Sequence, residues 1–368
     1  MSLSESQSRR RWLAAVALML AAASAQGVNL AVAAAFAPDG GLWRLHVDGG
    51  RLQLDRSADL GRSFSSPVAI GAAGQQLAIS VEERPAIAVA AGQLHLAWPV
   101  MAGRGTSLLF HTSSIDGGKS FAAPQPLPGS PGRLHRFVPD TQGRIHHLWY
   151  QDAGTGVADL YLASAEAPPR KLAGDLCDCC RPALVLDADD RPVIAARFVF
   201  PGNIRDHGLV RPTDEGAATL RRVTFDDWRV AVCPTQGPAL AIGSEGRYHL
   251  AWFTLGTRRG LFYAHSDDGG ATFSSPLHFG DPASYAMNPR VATTGQEVTL
   301  AWQEFRDRRA RILARNSQDG GATWGETREL ASTAGAADRA ELISGSAGSF
   351  VSWNTTAEGY RLIAIAEH

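Results

Sequence analysis

The chain's four cysteines fall in two short stretches, Cys177-Asp178-Cys179-Cys180 and Cys233. Three chemistries suit that spacing. Cys233 can form a disulfide with one of the other three, and thiols are then left over, because adjacent cysteines pair only with strain. The thiolates can instead hold a soft metal ion. C-x-C-C is not a standard zinc spacing, so copper is the better candidate and zinc the second. The third chemistry is thiol redox. An even number of cysteines suits an oxidising compartment.

Arginine supplies the second set of candidate groups. Arg84, Arg136, Arg181 and Arg339 each stand just ahead of a short apolar segment, where Gly237 and Asn288 stand ahead of two similar ones. A guanidinium fork is built for bidentate recognition of carboxylate or phosphate. Acids lie nearby in sequence at Glu82, Glu83, Asp178 and Asp338, so an anion site requires that some of these arginines escape pairing. Arg104, Arg205-Asp206-His207, Arg258-Arg259 and the charged run 304–309 read either as solvated loop tips or as further ligand contacts.

A repeat positions these groups. Short segments ending in tryptophan recur as Leu96-Ala97-Trp98, His147-Leu148-Trp149, Leu250-Ala251-Trp252, Leu300-Ala301-Trp302 and Val351-Ser352-Trp353, at steps of 51, 103, 50 and 51 residues. The long step holds a degenerate copy at 192–200, and an earlier copy sits at 42–47, which makes seven units. Each unit has a short apolar strand, a tryptophan strand and a third, alternating strand, joined by Gly- and Asp-rich turns. The pattern predicts an all-β chain, a β-propeller of four-stranded antiparallel blades, because radial repetition of small sheets protects their edges. Residues 28–32 are expected to supply the missing fourth strand of the last unit and close the ring.

The third strand runs into a second repeated element, Ser57-Ala58-Asp59-Leu60-Gly61-Arg62-Ser63-Phe64, which returns at 114–121, 266–273 and 317–324. The pattern S-x-D-x-G-x-[ST]-[FW] describes a self-capped turn. Aspartate accepts from turn amides, and glycine adopts positive φ.

This element resembles the Asp box, or BNR repeat, of the sialidase (neuraminidase) superfamily, and the resemblance extends as a repeat over nearly the whole mature chain. It implies that Asp59, Asp116, Asp268 and Asp319 are structural and lie on the face opposite the active site. It also implies that ligands bind at the mouth of the central channel, which makes Arg84, Arg136, Arg181 and Arg339 the ligand-binding candidates there. Sialidases have six blades, whereas seven units are counted here. They use three arginines, an Asp acid/base and a Tyr nucleophile assisted by Glu. Their Arg-Ile-Pro tripeptide does not occur in this chain. Glu304 and Tyr285, with Tyr360, are the weak catalytic candidates. The cysteine stretches precede the innermost strands of adjacent units, with Pro182 and Pro238 in one slot, so both should meet at the mouth.

Arg9, Arg10 and Arg11 precede the apolar run 12–23, and Ala23-Ser24-Ala25 supplies a small-residue cleavage pattern. The run is too short and Ala-rich to span a membrane convincingly. Residues 1–25 are therefore expected to be a secretory signal, with a twin-arginine type as alternative. Residues 28–368 are expected to form one periplasmic or secreted domain that does not span a membrane. A net charge of −1 gives no motive for a nucleic-acid partner. The favoured function is binding of an anionic small molecule or glycan. The alternatives are an exo-sialidase-type glycoside hydrolase and a cysteine-dependent copper-handling or redox protein.

Overall fold

The structure, a computed structural model, describes residues 29–365 apart from 73, 155, 165–166, 214–217 and 231–234. The N-terminal segment read as a signal, residues 1–25, lies outside the described residues.

The strand segments pair with their sequence neighbours in plain antiparallel meanders and form seven sheets. Six sheets have four strands and the last has three. Their first strands, Val32–Phe36, Ala86–Ala90, Arg133–Pro139, Ala183–Leu186, Ala239–Ile242, Met287–Thr294 and Glu341–Gly345, pack side by side, and the last returns to the first. That closes a seven-bladed propeller around a central channel. Among the described residues the one helix is a single 3₁₀ turn, Pro282–Ser284, and no helix is long and apolar enough to cross a membrane.

The tryptophan repeat is the core of the blade interfaces. Trp98, Trp149, Trp252, Trp302 and Trp353 all lie in the second strands of their blades and are almost wholly buried. Four of the five indole N–H groups also reach an acceptor: Gln75 Oε1, Asp226 Oδ2, Glu304 Oε1 and the Asp338 carbonyl. Large aromatics with one polar handle suit a site where an apolar layer meets a hydrogen-bonded loop. In the first blade register puts His46 in the tryptophan slot, since Leu42 faces the Asp-box Ser57 as Leu94 faces Ser114. In the fourth blade the slot holds Ala196.

Ring closure differs from the sequence expectation. Strand Val32–Phe36 does not complete the last blade; it is the innermost strand of the first, paired with Leu42–Asp48. The last blade keeps three strands, Glu341–Gly345, Gly348–Thr355 and Gly359–Ala364. The reason is that the first copy already had a second and a third strand and needed an inner one. Closure comes instead from side chains. Asn354 Nδ2 donates to the Leu30 carbonyl at 3.1 Å, and Val32 N donates to Asp338 Oδ2 at 3.3 Å.

The meander fixes which residues share a face. First strands run away from the mouth, second strands return to it, and third strands leave it again. The four Asp-box turns follow the third strands ending at Ser57, Ser114, Ser266 and Ser317, so they lie on the opposite face. All four share one bonding pattern. In the third copy Ser266 Oγ donates to Asp268 Oδ1 at 2.8 Å, Thr272 N donates to the same oxygen at 2.8 Å, and Thr272 Oγ1 donates to Oδ2 at 2.6 Å. Ser63 and Ser57 hold Asp59 in the same way, and the Ser63 bonds lower its pKa to about 2.

Candidate functional site at the channel mouth

The residues that open the first strands converge at one end of the channel. Arg84, Arg181 and Arg339 each stand two residues before their strand, as predicted. Arg136 does not; it lies inside Arg133–Pro139, and Leu134 occupies the slot equivalent to Arg84. Register places Arg136 one layer deeper, level with Ala86, Ala183, Ala239, Arg290 and Glu341. Arg290 and Glu341 were not singled out from sequence. Their layer is mostly alanine, and only the register against the tryptophan strand reveals that three blades carry a charge there.

Two of the four predicted arginines are committed to pairing, and across the ring rather than locally. Arg84 is buried and forks onto Asp338, Nη1 to Oδ1 at 2.5 Å and Nη2 to Oδ2 at 2.7 Å, while Nη2 also donates to the Val32 carbonyl at 2.6 Å. Arg339 forks onto Glu82 at 3.0 and 2.5 Å. The second and seventh blades thus exchange arginine and acid over the first blade. Burial works against the Arg84 charge, but Asp338 and Glu341 outweigh it and raise its pKa. Asp178, read as a local partner of Arg181, pairs with Arg133 at 3.2 Å instead.

Arg136 and Arg181 are different. Arg136 donates only to backbone carbonyls, of Pro182 at 3.1 Å and His135 at 2.5 Å, and its Nη2 is buried without a partner among the described residues. Arg181 reaches Glu341 Oε1 at 3.4 Å, and its Nε is buried and unpartnered in the same sense. Glu341 is shared, since Arg290 takes both its oxygens at 2.7 and 2.9 Å and Arg84 Nε lies 3.7 Å away. Burial would raise the Glu341 carboxyl, but Arg290, Arg181 and Arg84 together hold it well below the usual carboxylate range. Burial lowers Arg136 to about 10 against the pull of Glu83, and burial plus repulsion from Arg136 holds Arg181 well below the usual arginine value. A guanidinium stays protonated at neutral pH, so this cluster is short of negative charge. Five guanidiniums (Arg84, Arg136, Arg181, Arg290, Arg339) face four carboxyls (Glu82, Glu83, Asp338, Glu341).

Beside the ring a cleft of about 350 Å³ opens between the second and third blades, lined by Thr106, Arg133, Tyr150, Gln151 and Asp152. Tyr150 is buried, its hydroxyl has no partner among the described residues, and burial holds its pKa well above the usual phenol value.

The cysteine turn abuts this cleft. Cys177 ends the outermost strand of the third blade, Ala167–Cys177, and Cys180 leads into Arg181. The three sulfurs of Cys177, Cys179 and Cys180 lie within 4.8 Å of one another, close enough to converge on one ion. Cys179 is disulfide-bonded, however, while Cys177 and Cys180 are free thiols. In this oxidised form the turn offers two thiols, not the three-sulfur set that copper or zinc was expected to use. Cys233 lies outside the described residues. The chain just beyond it does reach the mouth. The Thr235 carbonyl accepts from Arg339 at 3.2 Å, and Gln236 Oε1 accepts from Asn288 N at 3.0 Å. Gly237 lies against the Arg181 backbone so closely that a Cβ there would overlap the Arg181 carbonyl. The two proline-bearing segments therefore do sit side by side.

The catalytic candidates from sequence do not form a nucleophile pair. Glu304 is buried, and its Oε1 accepts from Trp302 Nε1 at 2.8 Å and Asp281 N at 2.9 Å, which ties down the loop before the sixth blade. Tyr285 caps the 3₁₀ turn in that loop with φ 46°, and no hydrogen bond joins it to Glu304 among the described residues. The Tyr360 hydroxyl accepts from Ser352, and its ring packs on Phe64 of the first Asp box, away from the mouth.

Neither a protein-family model nor a curated protein sequence matches the chain. Solved structures do match in fold. An ulvan lyase of polysaccharide lyase family PL25, bound to -[GlcA(1-4)Rha3S]-, superposes with a TM-score of 0.59 at 13% identity, over 91% of this chain and 93% of that chain. The polysaccharide lyase Uly1 gives 0.54 at 10% identity, over 92% and 89%. A Trypanosoma rangeli sialidase in complex with sialic acid gives 0.44 at 12% identity, over 79% and 55%, too distant to carry an argument by itself. At these identities the likeness is one of fold, and the fold is the β-propeller that the repeat implied, with seven blades.

Proposed function

We propose that this is an exported propeller that binds an acidic glycan segment, one bearing carboxylate or sulfate, at the channel mouth. The observation that carries the reading is the pair of buried, unpartnered guanidinium nitrogens, Arg136 Nη2 and Arg181 Nε. Buried donors are normally satisfied, and a cluster of five guanidiniums around four carboxyls gains most from one added anion. Arg136 and Arg181 would take its oxygens as charge-assisted donors, while Arg84 and Arg339, already forked onto Asp338 and Glu82, hold the frame. The cleft beside Arg133 and Tyr150 offers room for a sugar next to the charged group. Two lines of support lie outside the site. The ulvan lyase of similar fold carries an acidic repeat, and a disulfide at Cys179 suits an oxidising compartment.

Calorimetric titration with matched oligosaccharides tests this. Uronic-acid or sulfated oligomers should bind, and tighter at low ionic strength, while neutral oligomers of equal length should not. Equal binding of neutral and acidic oligomers would overturn it.

A further inference from the structure

We propose that Cys177 and Cys180 form a two-thiolate site for one Cu(I) ion, with Cys179 left in its disulfide. Both are free, buried thiols, and their Sγ atoms lie 3.5 Å apart. The turn sets this up. Cys180 N donates to the Cys177 carbonyl at 3.2 Å, which closes the turn over residues 177–180 and brings the two sulfurs together at C-x-x-C spacing. Two sulfurs that each sit about 2.3 Å from a shared ion, the zinc–thiolate length, lie at most about 4.6 Å apart. The gap is already inside that limit, and rotation about the cysteine χ1 bonds widens it. Solvent is close by. Tyr150 feels the charge on both sulfurs, its hydroxyl is buried without a partner among the described residues, and it lines the cleft beside the turn.

The surrounding charge selects the ion. Arg205 Nη1 donates to Cys177 Sγ at 3.2 Å, and its other bonds go to Asn203 Oδ1 and the Gly156 carbonyl. Arg197, wholly buried nearby, donates to the Gln236, Arg205 and Phe253 carbonyls. Among the described ion pairs no carboxylate neutralises either guanidinium. Cu(I) held by two thiolates carries one net negative charge, which those guanidiniums offset. Zn(II) on the same thiolates is neutral, leaves both guanidiniums uncompensated, and takes four donors where the turn offers two thiols. Soft sulfur ligands also favour Cu(I). As the ion binds, each thiol gives its proton to solvent and two copper–sulfur bonds form. Copper stays Cu(I) throughout, so no oxidant or reductant is consumed. The site shares no residue with the arginine cluster that holds the glycan, so the two readings stand or fall separately.

Anaerobic titration with Cu(I), supplied as its acetonitrile complex against the chelator bathocuproine disulfonate, tests the site. Thiol reductants are left out so that the disulfide stays closed. Wild type should withdraw one equivalent of Cu(I) per chain from the chelator, and X-ray absorption at the copper edge should show a shell of two sulfurs. Zn(II) at the same concentration should not displace it. Cys177→Ser and Cys180→Ser should each lose that equivalent, with unchanged metal-free melting temperatures showing that they fold. The sulfur count on wild type decides the matter even where a variant fails to fold. No uptake by wild type, uptake retained in both folded variants, a three-sulfur shell, or displacement by Zn(II) would overturn the proposal.

Discussion

Replacing Asp338 by alanine removes the acid that closes the ring. Asp338 and Arg84 are both buried, and the carboxylate accepts four bonds: from Arg84 Nη1 and Nη2, from Arg339 N at 2.8 Å and from Val32 N at 3.3 Å. Without it, the Arg84 charge stays buried with one carbonyl and a Glu341 oxygen 3.7 Å away. Breaking a buried pair from one side costs about 3–5 kcal/mol, because the remaining charge is left uncompensated. Unfolding entropy of roughly 2 cal/mol/K per residue over 368 residues gives about 0.75 kcal/mol per degree, so the melting temperature should fall by about 4–7 °C. The double variant Asp338→Leu with Arg84→Met removes both charges and should recover part of that loss, since an apolar replacement of a buried pair is often neutral. Differential scanning calorimetry of wild type, Asp338→Leu, Arg84→Met and the double variant reads the cycle, with Asp338→Ala alongside. A drop under 1 °C for Asp338→Ala, or a double variant as unstable as the sum of the singles, would refute the clasp.

Four other outcomes follow from the same contacts. The half-buried His111 and the buried His135 and His249, lowered mainly by burial to about 4, and the buried His147, lowered to about 3, stay neutral when folded. They protonate near 6.5 when unfolded, so the unfolded chain binds more protons below that value and stability is lost as pH falls from about 6.5 towards 4. His249→Gln, which keeps a partner for the Tyr263 hydroxyl now 2.7 Å away, should flatten the fall of melting temperature over that range, and an unchanged slope would contradict this. Asp268→Ala should lower the melting temperature while leaving glycan binding intact; loss of binding at unchanged stability would put the Asp boxes on the wrong face. Trp252→Ala empties a buried slot between blades and should cost about 3–5 kcal/mol in denaturant unfolding, where a cost under 1 kcal/mol would show that the repeat does not mark the core. A fluorogenic sialoside should not be hydrolysed, because Glu304 is spent on Trp302 and Asp281; turnover that disappears in Tyr285→Phe would reverse that assignment.

The blade pattern was legible because it repeats. A buried tryptophan recurring at a beat of about 51 residues in five of the seven units, and four copies of the Ser-Asp-Gly turn, mark the second strand and the third hairpin, and the meander then assigns the two faces. Ring closure was misread because Val32–Phe36 carries no tryptophan or aspartate marker, and its role is fixed only by pairing with Leu42–Asp48. The arginines at the strand starts were visible as a slot, but their partners were not. Arg84 meets Asp338 and Arg339 meets Glu82, more than 250 residues apart, and sequence proximity pointed instead to neighbours on the same blade. Arg290 and Glu341 escaped notice because strand register, not spacing, raises them to the mouth. The cysteine stretches were seen to share a slot, yet which of the three would be oxidised depends on sulfur positions within one turn.

The central claim is that Arg136 and Arg181 hold the anionic group of a glycan. Isothermal titration of an oligouronate into wild type, into Arg136→Gln with Arg181→Gln, and into Asp268→Ala measures it most directly. Two lost charge-assisted contacts at about 1.5 kcal/mol or more each predict at least about 100-fold weaker binding for the double arginine variant, with Asp268→Ala binding as wild type. Affinity within about threefold of wild type in a folded double variant would contradict the account.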